Sequence, residues 1–312
     1  MADARVAPVG ERAAGTIYDL GYQHYEGERL GRGNAIRTLT AFSFKSAFGT
    51  GRGSKAQLIP YIVLILVFLP VAIQIAMASA FGRPELISYA QYLQSVTILL
   101  ALFAAAQAPE VIVADRQYGV LSLYLSRALS TTDYVASKVV AFTGAMLVLT
   151  LGPQFSLFVG KIFVSAEPWQ AFVADYKTLW PVAGGTFLAA CYMSFIGLAL
   201  ASFAARRAYA TASVIAFFVL MPAISNIANA IITSDARRYA VLANPFLVIT
   251  GFANWLFDVQ KNAAVPNQMG ARRAVRLLAR ADLPGEYYLY LMLATCVIAI
   301  ALLALRYRKT EA

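Results

Sequence analysis

Charged residues are scarce in this chain of 312 residues. Asp, Glu, Lys and Arg make up 13% of it, whereas apolar residues make up 60%. An average soluble domain has about 25% charged and 45–50% apolar residues. So little charge cannot cover the surface of a water-soluble globule of this size, which excludes a soluble cytosolic enzyme. The apolar content also excludes an intrinsically disordered chain. The composition therefore predicts an all-α protein with several membrane spans.

Histidine and cysteine are nearly absent, with one residue of the first type and two of the second. Metal sites and catalytic triads built on histidine therefore have almost nothing to use. Cys191 and Cys296 fall inside apolar runs, so we expect no disulfide framework. The glycine-rich segment 49–55 (GTGRGSK) lacks the Gly-Lys-Ser order of a Walker A phosphate loop. We expect no enzyme, nucleotide, metal or cofactor site in this chain, and no binding of nucleic acid.

Six apolar runs contain no Asp, Glu, Lys or Arg. A helix that crosses the hydrocarbon needs about 20 apolar residues, and it must satisfy its own backbone hydrogen bonds. Each run is long enough, so the sequence predicts six transmembrane helices within a domain at 58–312, after a cytoplasmic arm and interfacial helix at 1–57. The runs are 56–82, 86–109, 139–160, 178–205, 208–234 and 287–305.

A seventh run, 239–257, is interrupted by Asn244-Pro245, Gly251 and Asn254. With six spans, the segments predicted to be cytoplasmic hold 16 Lys and Arg residues, and the first two external loops hold 3. Cytoplasmic loops carry the excess of positive charge. We therefore predict six spans, both termini in the cytoplasm, and an extracytoplasmic segment at 235–286. Within it, 239–257 is expected to be re-entrant or interfacial, and a true span is the alternative.

Two further segments have the pattern of amphipathic helices. At 34–48, apolar residues recur at helical spacing, and Arg37 and Lys45 can reach lipid headgroups. This pattern predicts an interfacial helix. The alternative is the ordinary start of a soluble helix. Its apolar face consists of Ile36, Leu39, Phe42 or Ser43, and Phe48. At 272–280, an external helix is expected to keep its arginines in water and turn Val275, Leu278 and Ala279 inward. These arginines are Arg272, Arg273, Arg276 and Arg280.

Polar side chains inside the spans are few and uncharged. Such groups usually face the interior of a helix bundle or a water-filled path. Hydrogen bonding between helices is one interpretation, and the lining of a substrate path is the other. The candidate path residues are Gln74, Gln94, Gln154, Asn226 and Asn229.

The segment 110–138, EVIVADRQYGVLSLYLSRALSTTDYVASK, follows the second span. Asp115-Arg116 marks the membrane exit, Gly119 allows a sharp change of direction, and Ser130 to Asp133 supply helix caps. Between them lies a short apolar helical face that no visible soluble domain covers, which indicates a docking surface. Packing at the lipid interface is the alternative. The face consists of Val120, Leu121, Tyr124 and Leu125.

This segment resembles the corresponding loop of the type-2 ABC exporter permease family. That loop typically has the form E-R-E-x-G-T-L-E-x-L-L-x-x-P-[LIV]-S-R-x-x-[YIL]-x-x-x-K. In this chain 115–121 matches the first part and 125–130 the second, and Tyr134 and Lys138 stand at its close. Val120 replaces the usual Thr, and Ala128 replaces the usual Pro.

The resemblance covers essentially the whole chain. It includes the Arg206-Arg207 turn, Asn244-Pro245-Phe246, and Tyr18 to Gly27, which are similar to those of bacterial, particularly actinobacterial, members. It implies an interfacial connecting helix near 34–50, a coupling helix at 116–127, re-entrant helices at 239–257, and a location in the bacterial cytoplasmic membrane. It further implies that two copies, or one copy and a paralogue, enclose the substrate path.

The resemblance also implies that a pair of separate ATPase subunits binds ATP and Mg²⁺. The residues that would couple to those subunits are Asp115, Arg116, Gly119, Val120, Leu121, Tyr124 and Leu125.

Two other functions compete with the exporter subunit. An ion-coupled secondary transporter commonly carries carboxylates within the membrane, or inverted repeats; here Glu110 is the only carboxylate that the sequence shows near a span. A polytopic membrane enzyme is the third candidate. The apolar spans suit a lipid, an amphipathic drug or a hydrophobic peptide as substrate. Membrane lipids and an extracytoplasmic protein are further candidate partners.

Overall fold

The computed structural model describes residues 30–51, 53–81, 88–125, 129–257 and 269–308, and within them every regular element is a helix. The predicted arm up to residue 29, with Tyr18, Tyr22, Tyr25 and His24, lies outside the described residues, as does 126–128 of the loop motif. The α-helices are α1 (Arg32–Ala47), α2 (Ser54–Phe81), α3 (Tyr89–Gln117), α4 (Leu121–Leu125), α5 (Thr131–Val164), α6 (Pro168–Asp175), α7 (Leu179–Phe203), α8 (Arg207–Ile231), α9 (Pro245–Leu256), α10 (Met269–Ala281) and α11 (Gly285–Arg308). Two 3₁₀ helices lie at Tyr176–Thr178 and Asp235–Ala243.

Six of these helices are long and apolar enough to cross a membrane, as predicted: α2, α3, α5, α7 together with α6, α8 and α11. Two of these helices extend beyond the charge-free runs, since α3 continues past Glu110 to Gln117, and α5 begins at Thr131, ahead of Lys138. The side chains of Glu110 and Lys138 both form ion pairs inside the fold, so neither charge has to end its helix.

Helices α3, α5 and α7 form the interior of the bundle. Phe103 of α3 and Phe142 of α5 are fully buried and stack with their ring centroids 6.0 Å apart. Gly197 of α7 packs against the same place, where an added Cβ would lie 3.3 Å from the Ala104 side chain. By contrast, only 22% of an apolar stretch of 18 residues in α2 is buried, and only 17% of such a stretch in α8. These two helices therefore present most of their apolar surface outward.

Helix α1 packs lengthwise along α5. Arg32 pairs with Asp133 near the start of α5, and the Phe44 ring lies over Gly144 further along the same helix. The inward face consists of Leu39, Ser43 and Ala47, four residues apart. Of the predicted face, Leu39 is buried, and of the two alternatives Phe42 and Ser43 it is Ser43 that faces inward while Phe42 is exposed.

The segment predicted to contain re-entrant helices forms two short helices. The 3₁₀ helix at 235–243 and helix α9 meet at an angle of 102°. Asn244 lies at the bend, and its side-chain oxygen accepts hydrogen bonds from the backbone N–H groups of Phe246 and Leu247, 3.0 and 3.4 Å away. The pair counts as a seventh span only if both helices together form one broken span.

Helix α10 occupies the predicted arginine-rich segment. Arg276 and Arg280 are exposed, and Leu278 is turned toward the bundle, as expected. Ala279, expected to face inward, is exposed, because Leu277 takes the inward place next to Leu278. The side chains of Arg272, Arg273 and Val275 lie outside the described residues.

Candidate functional site

The end of α3 turns sharply into α4. Gly119 adopts a left-handed conformation, with φ of 67°. Its N–H donates to the carbonyl of Arg116, and the N–H of Val120 donates to that of Asp115, which is the Schellman arrangement that closes a helix. The predicted change of direction at Gly119 is therefore confirmed. Helix α4 is thus held one turn away from the end of α3.

The start of α5, on the other side of α4, has a complete capping box. The Ser130 hydroxyl accepts from the N–H of Asp133, and the Asp133 carboxylate accepts from the N–H of Ser130, at 3.3 and 3.0 Å. Arg32 of α1 binds the same carboxylate through two hydrogen bonds of 2.8 and 2.9 Å. This pairing raises the pKa of the Arg32 guanidinium above its usual value. The predicted caps are confirmed, and they fix where α5 begins.

The faces of α4 differ from the expected docking surface. Leu121 and Tyr124 pack against the core of the bundle, and the Tyr124 ring lies 6.2 Å from the ring of Tyr134. Val120 is half-buried. Leu123 is instead 63% exposed. The side chain of Leu125 lies outside the described residues. Among the described side chains of α4, the exposed apolar one is therefore Leu123, which the sequence interpretation did not include.

A buried ion pair joins α3 to α5 beneath α4. Nζ of Lys138 lies 2.6 Å from Oδ2 of Asp115, and the Tyr134 hydroxyl donates to the same oxygen at 2.9 Å. Lys138 is 2% exposed and Tyr134 is fully buried. Asp115, which was predicted to mark the membrane exit, is buried, and Lys138 supplies the opposite charge that burial requires.

Arg116 extends these connections to α7 and α11. Its Nη2 donates to the carbonyl oxygens of Ser202 and Ala204, at 2.9 and 2.7 Å. A guanidinium is favourable there because the last carbonyls of a helix have no partners within it. Tyr307 of α11 lies beside it, with its ring centroid 6.0 Å from the guanidinium carbon. Asp115, Arg116, Tyr134, Lys138 and Tyr307 thus tie four helices together; we call these five residues the α4 anchor.

A second ion pair lies next to the anchor. Arg207, at the start of α8, lies 2.9 Å from a carboxylate oxygen of Glu110 on α3. The guanidinium also lies over the ring of Tyr118, 4.9 Å from its centroid. The start of α8 is therefore attached to the same end of α3 that leads into α4.

Two of the candidate path residues, Gln94 and Asn229, form hydrogen bonds with residues outside that set. Nε2 of Gln94 donates to Oδ1 of Asn254 on α9 at 3.0 Å. The Asn229 amide donates to the carbonyl of Ser225 on its own helix. Gln154 is fully buried beside a cavity. The last two members, Gln74 and Asn226, are half-buried on α2 and α8. Gln94 thus has the predicted role of an interhelical hydrogen bond.

Among the described residues, no group of three or more His, Cys, Asp and Glu side chains is arranged to hold a metal ion. Comparison with known proteins gives no further guide to the site: no family model matches the chain, and no curated protein matches it.

Proposed function

We propose that the chain is the membrane-spanning permease subunit of an ATP-binding-cassette exporter in a bacterial cytoplasmic membrane. Separate ATPase subunits would bind ATP and Mg²⁺ and would drive the permease through α4. Two observations support the proposal. The loop 110–138 resembles that of type-2 exporter permeases, and the chain has six helices that are long and apolar enough to span a membrane.

The observation that carries the proposal is the way α4 is built into the bundle. It exposes Leu123, while the anchor residues directly behind it bind α3, α5, α7 and α11 to one another. A force applied to α4 therefore has a short path into four helices. Leu123 would enter a groove on the ATPase, where a buried leucine contributes about 1.5–3 kcal/mol. Leu121 and Tyr124 would transmit the contact inward.

The distribution of positive charge supports an orientation with α4 in the cytoplasm. The 16 Lys and Arg residues of the proposed cytoplasmic segments exceed the 3 of the first two opposite loops, as the positive-inside rule requires. Both termini then lie in the cytoplasm, with α1 near the headgroups of that face. The bent pair 235–243 and α9 would be re-entrant from outside, and α10 would be exposed there to an anionic headgroup or a partner protein.

Two copies, or one copy and a paralogue, would enclose the substrate path. The outward apolar faces of α2 and α8 would form the contact between the copies. Each helix buries only about a fifth of its apolar stretch of 18 residues within one chain. Gln74 of α2 and Asn226 of α8 would then face the path from opposite sides. A path of this composition suits a lipid, an amphipathic drug or a hydrophobic peptide.

Copurification of an ATPase from the native membrane tests the proposal. The wild-type chain should retain an ATP-hydrolysing partner in mild detergent. Leu123→Asp places a charge in the proposed contact, so it should lower the retained ATPase activity at least tenfold, the equivalent of about 1.4 kcal/mol. Gln117→Asp is the matched control: it adds the same charge at an exposed position nearby, the last residue of α3, and should retain the partner. If the correctly folded Leu123→Asp variant retains as much ATPase as the Gln117→Asp variant, the proposal is contradicted.

One observation favours the ion-coupled transporter as the second candidate. Asp115 and Lys138 form a buried ion pair within two candidate spans, and ionisable groups at such positions mark proton or ion pathways in many transporters. Purified chain in liposomes separates the two functions. A transporter of this class moves protons or substrate under an imposed pH gradient without ATPase, and Asp115→Asn abolishes the movement; the exporter subunit alone does neither.

A further inference from the structure

A cavity of about 790 Å³ opens on the side of the bundle, far along α5 from the anchor. Small-molecule sites commonly have volumes of about 300–1,000 Å³. The walls are almost entirely apolar and come from α2, α5, α6 and α7; they include Phe68, Leu151, Phe155, Phe172 and Trp180. Trp180 is 80% exposed and Phe155 is also exposed. The mouth therefore faces the surroundings of the bundle, which for membrane-spanning helices are the lipid chains.

The wall of this cavity contains a buried amide that has no partner. Gln154 of α5 lines the cavity and is 0% exposed. Neither its Oε1 nor its Nε2 has a hydrogen-bond partner among the described residues. A buried polar group without a partner is unfavourable, and native proteins contain few of them. Gln94, on a neighbouring helix, is paired with Asn254. The Gln154 side chain thus has an NH₂ donor group and a carbonyl acceptor for which the described residues supply no partner.

The position of Gln154 along α5 indicates how deep a ligand would lie. Lys161, seven residues further on, pairs with Asp175 at 3.7 Å and lies 4.3 Å from the centroid of the Tyr89 ring. Lysine and tyrosine in such positions are typical of the headgroup level. At about 1.5 Å per residue, Gln154 lies roughly 10 Å below that level. A charged headgroup would not reach this depth, and none of the residues that line the cavity is charged.

We propose that this cavity binds, from within the bilayer, an amphiphile with a single long apolar chain and one uncharged head that both donates and accepts a hydrogen bond, such as a primary fatty amide. The head pairs with the Gln154 amide, and the chain lies along Leu151, Phe155 and Phe68. The proposal requires only that the helices span a membrane, so it does not depend on ATP-driven export.

Photolabelling with two matched probes tests the proposal. One probe is hexadecanamide with a diazirine in the middle of its chain, and the other is hexadecane with the same diazirine. In purified protein, the amide probe should label peptides that contain 147–155 or 176–183, saturably, and with at least tenfold higher affinity than the alkane probe. Unlabelled hexadecanamide should compete. Equal affinity of the two probes, or labelling spread over all outward helix faces, overturns the proposal.

Two pairs of variants assign the effect to the cavity. Gln154→Leu should lower the affinity for the amide probe about tenfold and leave that for the alkane probe unchanged; Gln94→Leu, which also removes an intramembrane amide, should affect neither. Ala183→Phe fills the cavity and should abolish labelling by both probes. Its control is Gly184→Phe, since Gly184 is exposed and an added Cβ there meets nothing within 4 Å. The assignment is contradicted if folded Gln154→Leu binds the amide probe as tightly as the wild type. It is also contradicted if Gln154→Leu and Gln94→Leu lose the same affinity for the amide probe, or if Ala183→Phe and Gly184→Phe lose the same labelling.

Discussion

Replacing Lys138 by Met tests the α4 anchor most severely. The substitution removes the charge that faces Asp115 at 2.6 Å and keeps a long, flexible side chain in the same space. Asp115 is then left buried, with one hydrogen bond from Tyr134. Removal of one partner of a buried ion pair typically costs about 3–5 kcal/mol, because the remaining charge is uncompensated. We expect a loss of this size in the free energy of unfolding.

The assay is unfolding in mixed micelles by increasing mole fractions of SDS, followed by circular dichroism. The double variant Asp115→Asn with Lys138→Met removes both charges, and replacement of a whole buried pair is often nearly neutral. It should therefore be markedly more stable than Lys138→Met alone. A second comparison is Arg32→Ala, which breaks an exposed pair and should change stability little. If Lys138→Met unfolds like the wild type, or if the double variant is less stable than the single one, the anchor does not stabilise the bundle as argued.

Three glycine substitutions, one of them a control, test the local geometry at α4 and at α9. Gly119→Ala should lower the free energy of unfolding by about 1–2 kcal/mol, the penalty of a left-handed conformation for a residue with a Cβ. The added atom meets nothing within 4 Å, so no steric clash adds to this penalty. The control Gly184→Ala, in open space within α7, should not lower it. Gly251→Ala should cost about 1–3 kcal/mol by overpacking, because its Cβ would lie 2.7 Å from the Tyr288 ring. The same SDS titration measures all three, and a neutral Gly251→Ala would mean that α9 does not pack tightly on α11.

The six helices that are long and apolar enough to span a membrane could be predicted from the sequence, because an apolar run of the required length is a local property. That α3 and α5 continue as helices past the charges of Glu110 and Lys138 could not be predicted in this way. The partner of Glu110 is Arg207, 97 residues away, and only the fold reveals that charges at these ends are neutralised. The bend before α9 was foreseeable from Asn244-Pro245, since proline lacks the backbone donor that a continuous helix needs.

The turn and the caps on either side of α4 could be predicted from the sequence, but the orientation of α4 could not. Gly119 and the caps at Ser130 have strong local signals and lie as expected. The outward side chain of α4 was missed, because helical spacing groups Leu121 with Tyr124 but does not say which face meets the bundle. In the structure, α4 turns the apolar face of Leu121 and Tyr124 toward the bundle, which leaves Leu123 outside. The expectation that the larger apolar face of a short helix packs inward would have identified Leu123 as the outward residue.

Photocrosslinking from position 123 in intact membranes tests the central claim most directly. A benzophenone amino acid replaces Leu123 at the exposed tip of α4, and in a control it replaces Trp169, which is exposed on α6. If α4 is the docking site for an ATPase, position 123 should crosslink to an ATP-binding protein and position 169 should not. The account is contradicted if position 123 gives no crosslink to an ATP-binding protein. It is also contradicted if positions 123 and 169 give the same crosslinked products.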